Sequence, residues 1–589
     1  MGVGCLRYGV NLHFYRKTAA GEIEIPFQLS AHARLTSKLP ERIILLLYAV
    51  AIGVVAGYGA VGFRKLIQLF DWLFFHVGTS YLRVLGRGEV IIFPVIGLVI
   101  VSMLVRRFAP EAKGHGVPEV MAAIAERGGV IRPRVVVVKA VASALTIGSG
   151  GSVGREGPIV QIGSAFGSVF GQMLGVPKRY LRLMVACGAG AGIAATFNAP
   201  IGGVMFAAEV ILGSFALENF TAIMMSSVVS AAIGRIYLGN HPSFDIPIHD
   251  VGPFRAYWVY VLLGLVSGLW GTLYVKVLYR VEDWFDARRW PFWVKAVVGG
   301  IAVGVIGVWF PQIFGVGYGT IDRALSAHLP LYLLGTLLVL KLLATSITIG
   351  AGGSGGVFSP GLYQGAMLGG LVGVMLSHAH IAVSPGALAA IGMAGVFAGS
   401  AQAPVTSITM LFEMTGDYSM ILPLMITSVL SATVAGLISP QNIYTMKLFR
   451  RGLDIVRLRE PDRMKALTVG DVIQENRLVF DAHTSIETAW GSFAKTSEWF
   501  ALVRDAKRGV VGSVARVQVV EALRADRGGE PIHNLLPAQM VRIDERASLA
   551  EALALMNEHG VTYLLVCRGD VGIGVVGSSD VIRAYRRVD

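Results

Sequence analysis

The chain has 589 residues, of which 54% are hydrophobic and only 15% charged, and its mean hydropathy is +0.62. That balance excludes a soluble enzyme of this size and points to a polytopic α-helical membrane protein. The formal net charge of +13 would suggest nucleic acid in a soluble chain; here it reads as basic cytoplasmic flanks and an anion path, with no nucleic-acid partner.

Residues 1–40 are mixed and polar, with Arg7, Arg16, Lys17, Arg34 and Lys38, and form a cytoplasmic N-terminal segment. There is no signal-peptide pattern before the first apolar run, near Ile43. Apolar segments follow at 42–60, 90–106, 135–147, 180–196, 200–213, 221–237, 255–280, 293–310, 330–347, 361–377, 385–399, 404–415 and 420–438. Many fall short of the ~20 residues that a straight span needs. They are interrupted by GREGP, NAP, GVFSP and QAP. Broken helices are tolerated in a bilayer only where they line a cavity buried in protein.

Residues 146–158 read TIGSGGSVGREGP and residues 348–360 read TIGAGGSGGVFSP, identical at eight of thirteen positions at an offset of 202. KAVASAL precedes the first copy and KLLATSI the second. Asn198-Ala199-Pro200 recurs as Gln402-Ala403-Pro404, and Glu209 recurs as Glu413, at an offset of 204. The membrane part is therefore an internal duplication, with a midplane binding site expected at the matching Gly/Pro-interrupted segments. The duplication alone leaves parallel and inverted halves both open.

The first copy ends in an intramembrane ionisable pair, Arg155 and Glu156, between Gly154 and Gly157-Pro158. Gly157-Pro158 reads as a turn opening into a helix, whose free N–H groups make an anion site. An ionisable residue at that depth is a functional candidate.

Composition changes near residue 447, where LFRRGLDIVRLREPDRMK is a basic cytoplasmic exit. Residues 41–455 form the membrane domain, 456–466 a linker, and 467–589 a soluble α/β tail of two similar units, so both termini are expected in the cytoplasm. Cys5, Cys187 and Cys567 lie too far apart in sequence to suggest a disulfide framework or a metal cluster. The tail contains no Walker loop, catalytic triad or metal-ligand set, so nothing argues for an enzyme or a metal.

Gly114-His115-Gly116-Val117-Pro118, Gly154-Arg155-Glu156-Gly157-Pro158, Gly356-Val357-Phe358-Ser359-Pro360 and Tyr444 together make residues 40–455 resemble the ClC chloride channel and transporter family. The tail resembles a tandem pair of CBS domains. The resemblance implies a homodimer in the cell membrane, one anion path per subunit, and two inverted halves within each subunit. It makes Glu156 the gating glutamate, whose carboxylate occupies a site that also binds an anion. It makes the backbone N–H groups of Val357 and Phe358, those near Gly154, Arg155 and Gly157, and the Tyr444 hydroxyl the groups that meet a central anion, with His115 and Gly116 beside them. A helix N-terminus suits this task because it binds without the full charge that would trap the ion.

Two departures from the family pattern matter. His115 stands where the family usually has a serine, which leaves chloride as the family default and makes pH-sensitive conduction an expectation. Val210 stands where proton-coupled members carry a second glutamate, in NAPIGGVMFAAEVIL. Valine carries no proton, so the residues favour a passive gated anion channel, with a proton-coupled chloride antiporter as the alternative. A membrane-anchored nucleotide sensor with a vestigial path is a third reading, opposed by the intact Glu156, Phe358 and Tyr444. Glu209 and Glu413 are expected to be buried structural carboxylates at helix ends. In the tail, Asp580 ends a GVVGSSD run resembling the adenosine-binding pattern, while Gln518 stands at the corresponding place in the first unit. An adenine-nucleotide cleft and a plain dimerisation module both remain open there.

Overall fold

A computed structural model describes residues 16–17, 23–24 and 39–581, apart from short stretches such as 83–87, 245–250 and 457–466. The expected linker and the Arg7, Arg34 and Lys38 flank lie largely outside the described residues. Two short strands, β1 (Arg16–Lys17) and β2 (Ile23–Glu24), pair near the N-terminus. The chain divides into two compact units, Met1–Ile455 and Val456–Asp589.

From Glu41 on, the regular elements described in the first unit are helices. Its first half runs α1 (Glu41–Trp72), α2 (Glu89–Phe108), α3 (Val117–Arg127), α4 (Arg134–Gly148), α5 (Glu156–Leu174), α6 (Lys178–Phe197), α7 (Pro200–Met205) and α8 (Leu217–Leu238). The second half repeats the order as α9 (Trp258–Ala287), α10 (Phe292–Trp309), α11 (Tyr318–Leu325), α12 (Leu331–Gly350), α13 (Phe358–His378), α14 (Pro385–Ala401), α15 (Pro404–Thr415) and α16 (Ile421–Ile438). The short α17 (Thr445–Phe449) closes the unit. Among the described residues, eight helices are long and apolar enough to cross a membrane. Several others are half-length, as the interrupted sequence pattern requires.

The halves are inverted, and the contacts at their seam are reciprocal. Gly154 N donates to Gly356 O at 2.7 Å, and Gly356 N donates back to Gly154 O at 2.6 Å. Ser152 N donates to Thr348 Oγ1, and Ser354 N to Thr146 Oγ1, each at 3.2 Å. Residue i meeting j+202 while j meets i+202 is the signature of a two-fold axis. The close approach needs glycine: a Cβ on Gly356 would lie 2.7 Å from the Gly157 nitrogen.

Helix α5 carries no apolar segment in the sequence reading, because glycine and serine dilute its hydropathy. Its small residues serve packing. Gly163 and Gly188 lie so close that a Cβ on either would overlap the other's carbonyl oxygen. Small residues let α5 and α6 approach at backbone distance, the usual basis of helix association in lipid.

Among the described residues, the second unit holds one six-stranded sheet in the order β3-β4-β5-β8-β7-β6. The strands are β3 (Val479–Asp481), β4 (Phe500–Asp505), β5 (Gly509–Ala515), β6 (Arg542–Asp544), β7 (Tyr563–Arg568) and β8 (Val571–Gly577). Each half of the sheet is one sequence unit, and β5 pairs with β8 at Gly509 and Gly572 to join them. Matching helices, Ile486–Phe493 and Leu549–His559, begin at Ser485 and Ser548, whose hydroxyls accept from Thr488 N and Glu551 N. Serine at this place satisfies an N–H that the helix cannot.

Candidate anion-binding site

The site forms where the N-terminus of α13 meets the loop that opens α5. Glu156 is the first residue of α5 and is buried. Its side chain turns across the two-fold seam to the other half. Glu156 Oε1 accepts from Tyr318 Oη at 3.0 Å and from the Ser359 hydroxyl, and Oε2 accepts from Ser359 N at 3.3 Å. The carboxylate thus sits on the N-terminal turn of α13, where unpaired N–H groups and the helix dipole favour negative charge. An anion seated there and this carboxylate exclude each other.

Arg155 makes no ion pair with Glu156 among the described residues. Its guanidinium lies over the Tyr318 ring, 4.8 Å from the centroid. The sequence pattern offers the Gly154 N–H to an anion, but that N–H donates to Gly356 O, so Gly154 fastens the seam instead. Val357 precedes α13 and Phe358 begins it; both are buried, and Val357 O accepts from Tyr274 Oη at 3.0 Å. The Phe358 ring packs against Phe397 at 4.3 Å and Phe197 at 5.3 Å, which locks the helix start.

Sequence reasoning missed Tyr318 and Ser359. Ser359 lies inside the GVFSP motif, one residue beyond the pair singled out. Tyr318 belongs to Gly315-Val316-Gly317-Tyr318-Gly319, the counterpart of Gly114-His115-Gly116-Val117-Pro118 at an offset of 201. The correspondence is structural. Gly116 and Gly317 share the left-handed backbone, φ +83° and +85°, open to glycine. Lys139 Nζ donates to the carbonyls of Ala112 and Gly114, and Lys341 Nζ to those of Ile313 and Gly315. Shifting the repeat by one residue would have exposed Tyr318.

On the other side of the site, His115, Gly116 and Tyr444 come together. Gly116 caps α3, and Tyr444 caps α17, where Asn442 Oδ1 accepts from the N–H groups of Tyr444 and Thr445 at 2.9 Å. The His115 and Tyr444 ring centroids are 6.2 Å apart. His115 Nε2 lies 3.1 Å from Tyr279 Oη, which donates its single proton to Ile443 O at 2.7 Å. Nε2 is therefore the donor in that contact. Nδ1 is buried with no hydrogen-bond partner among the described residues. In the neutral ring that nitrogen is a bare lone pair, which repels an anion; protonated, it donates to one. The charged groups around this end are Lys139, Lys447, Arg451 and Glu119, with Arg451 2.8 Å and Lys447 3.6 Å from the Glu119 carboxylate.

Val210 is buried in the apolar core, on a π-helical turn (Phe206–Leu212) that continues α7. Glu209, on the same turn, reaches α15, where its carboxylate accepts from Thr406 N at 2.7 Å and from Val405 N at 3.3 Å. Glu413 returns the contact to α7, accepting from Gly202 N at 2.7 Å and Ile201 N at 3.1 Å. Each half caps the other's helix. Glu413→Ala is expected to lower stability by about 1–2 kcal/mol by orphaning two N–H groups. A thermal melt in detergent that matches wild type would refute the capping role.

In the tail, Asp580 is buried and its Oδ2 accepts from Gly577 N at 2.9 Å. Gln518 does the same in the first of the tail's two repeats, accepting from Ala515 N at 2.8 Å. Both side chains hold the turn between a strand and the segment that follows.

Comparison with known proteins settles the family. The family model described as "Voltage gated chloride channel" matches residues 96–436, more than half of the chain. The chain belongs to that family. A CBS domain model matches residues 537–587. A ClcB-like chloride channel protein of Ralstonia nicotianae is 31% identical over 424 residues, covering 70% of this chain and 99% of that one. The H(+)/Cl(-) exchange transporter ClcA of Vibrio campbellii is 31% identical over 439 residues, covering 72% and 92%. A solved structure of a slow cyanobacterial Cl−/H+ antiporter superposes with a TM-score of 0.64 at 27% identity, covering 70% of this chain and 99% of that one.

Proposed function

We propose that this family member exchanges a small anion, chloride by family default, for protons, with Glu156 as the group both ions share. The observation that carries the reading is the Glu156 carboxylate held on the N-terminus of α13 by Tyr318 and Ser359. To leave, it must be protonated or displaced by an anion, which links the two ions at one place. Relatives named as exchangers favour this reading over the passive channel that Val210 suggested. The side chain at 210 offers no proton carrier, so the inner route needs another group, and His115, whose buried Nδ1 has no hydrogen-bond partner among the described residues, is the candidate at that end of the site.

In a bilayer with symmetric chloride, the reversal potential is expected to shift when a proton gradient is imposed. A potential that follows chloride alone would leave the channel reading standing and sink exchange. His115→Ser is expected to flatten the acid side of the pH profile, because protonated Nδ1 attracts anions and serine does not titrate. An unchanged profile would remove His115 from the route.

The reading includes a homodimer with one path per subunit, supported by family membership, and residence in the cell membrane with both termini cytoplasmic. Arg106 and Arg107 at the end of α2, Arg288 and Arg289 between α9 and α10, and Arg450 and Arg451 after α17 support that orientation, since basic residues favour the cytoplasmic side. An adenine nucleotide at the CBS pair is the remaining proposal; Asp580→Ala should abolish nucleotide-dependent flux if the cleft is used.

A further inference from the structure

A cavity of about 340 Å³ opens where α2 ends and α9 turns into α10, bordered by Lys113 of the loop that leads to His115. Arg106, Lys113 and Lys295 line it, with Asp286 as the one carboxylate among the described residues. Lys113 Nζ takes that carboxylate at 3.3 Å. The Arg106 guanidinium lies over the Phe292 ring at 4.9 Å and, like Lys295, has no ion pair among the described residues. Trp290 and Phe292 add aromatic walls. Exposed Trp284, Trp290 and Trp293 beside Arg288 and Arg289 mark this end of the helices as a membrane–water boundary.

We infer that this cavity binds a phosphate ester, either the headgroup of an anionic lipid or a soluble phosphate. Three cations against one carboxylate leave a surplus of positive charge in a partly enclosed, aromatic-walled space. Guanidinium and ammonium groups suit phosphate oxygens by bidentate and point-charge contacts. Full charges also separate this cavity from the anion path, because they hold a resident ligand where a passing ion needs weak binding. Basic pockets between membrane helices are a physical match for anionic headgroups.

The test uses the purified full-length protein in neutral detergent, with native mass spectrometry and thermal melts as readouts. Dioleoylphosphatidylglycerol, dioleoylphosphatidylcholine and glycerol 3-phosphate are the probes. Wild type is expected to half-saturate with phosphatidylglycerol at about ten-fold lower concentration than the double variant Arg106→Gln, Lys295→Gln. Arg106→Lys should retain most of the binding. Should the double variant fail to elute as wild type does, Arg106→Gln alone is expected to weaken binding about three-fold. Binding of phosphatidylglycerol without glycerol 3-phosphate assigns the site to lipid, and equal binding assigns it to a soluble ester. Equal retention of phosphatidylcholine, or probes bound alike by wild type and variants, would overturn the inference.

Discussion

Glu156→Gln is expected to abolish proton counter-transport by at least about 100-fold while anion flux persists and loses the part of its pH dependence that Glu156 carries. The amide is nearly isosteric, so the seam at Gly154 and Gly356 should hold. What changes is charge. The carboxylate accepts from the Tyr318 hydroxyl, the Ser359 hydroxyl and the Ser359 N–H. Hydrogen bonds to a charged group contribute about 1.5–3 kcal/mol each, against about 1 for a neutral pair. A glutamine therefore holds the α13 N-terminus far less tightly and yields it to an anion. It also takes up no proton at ordinary pH, so no proton travels with the exchange. Chloride efflux and proton uptake recorded together from proteoliposomes check this. Proton uptake at the wild-type ratio would show that the coupling resides elsewhere.

Lys139→Met and Lys341→Met are each expected to lower stability by about 3 kcal/mol, seen as a fall of about 5 °C in the detergent melting midpoint. Both lysines are fully buried, and each donates to two loop carbonyls. Methionine matches the length but donates nothing, so two carbonyls per site lose their partner inside the protein. Those carbonyls belong to the loops that present His115 and Tyr318, so transport should fall with stability. The double variant should cost more than either alone, since each lysine serves a different half. A melt within 1 °C of wild type for either variant would contradict this account.

The sequence by itself determined the membrane class, the duplication, the tail of two units and the position of Glu156. Each of these is written locally: hydropathy is a sum over neighbours, and the repeat is visible as matched strings. A structural place for Glu209 at a helix end was already legible, but the partners of Gly154, Glu209 and Tyr318 were decided only in the tertiary structure. Gly154 pairs with Gly356, Glu209 caps the helix that begins at Pro404, and Tyr318 reaches Glu156 across 162 positions. The same holds for His115, whose proton arrangement follows from Tyr279 and Ile443. Local strings cannot carry these facts, because a two-fold axis brings together residues from opposite halves. The hydrogen bonds that assign each role form only once the halves have closed on one another.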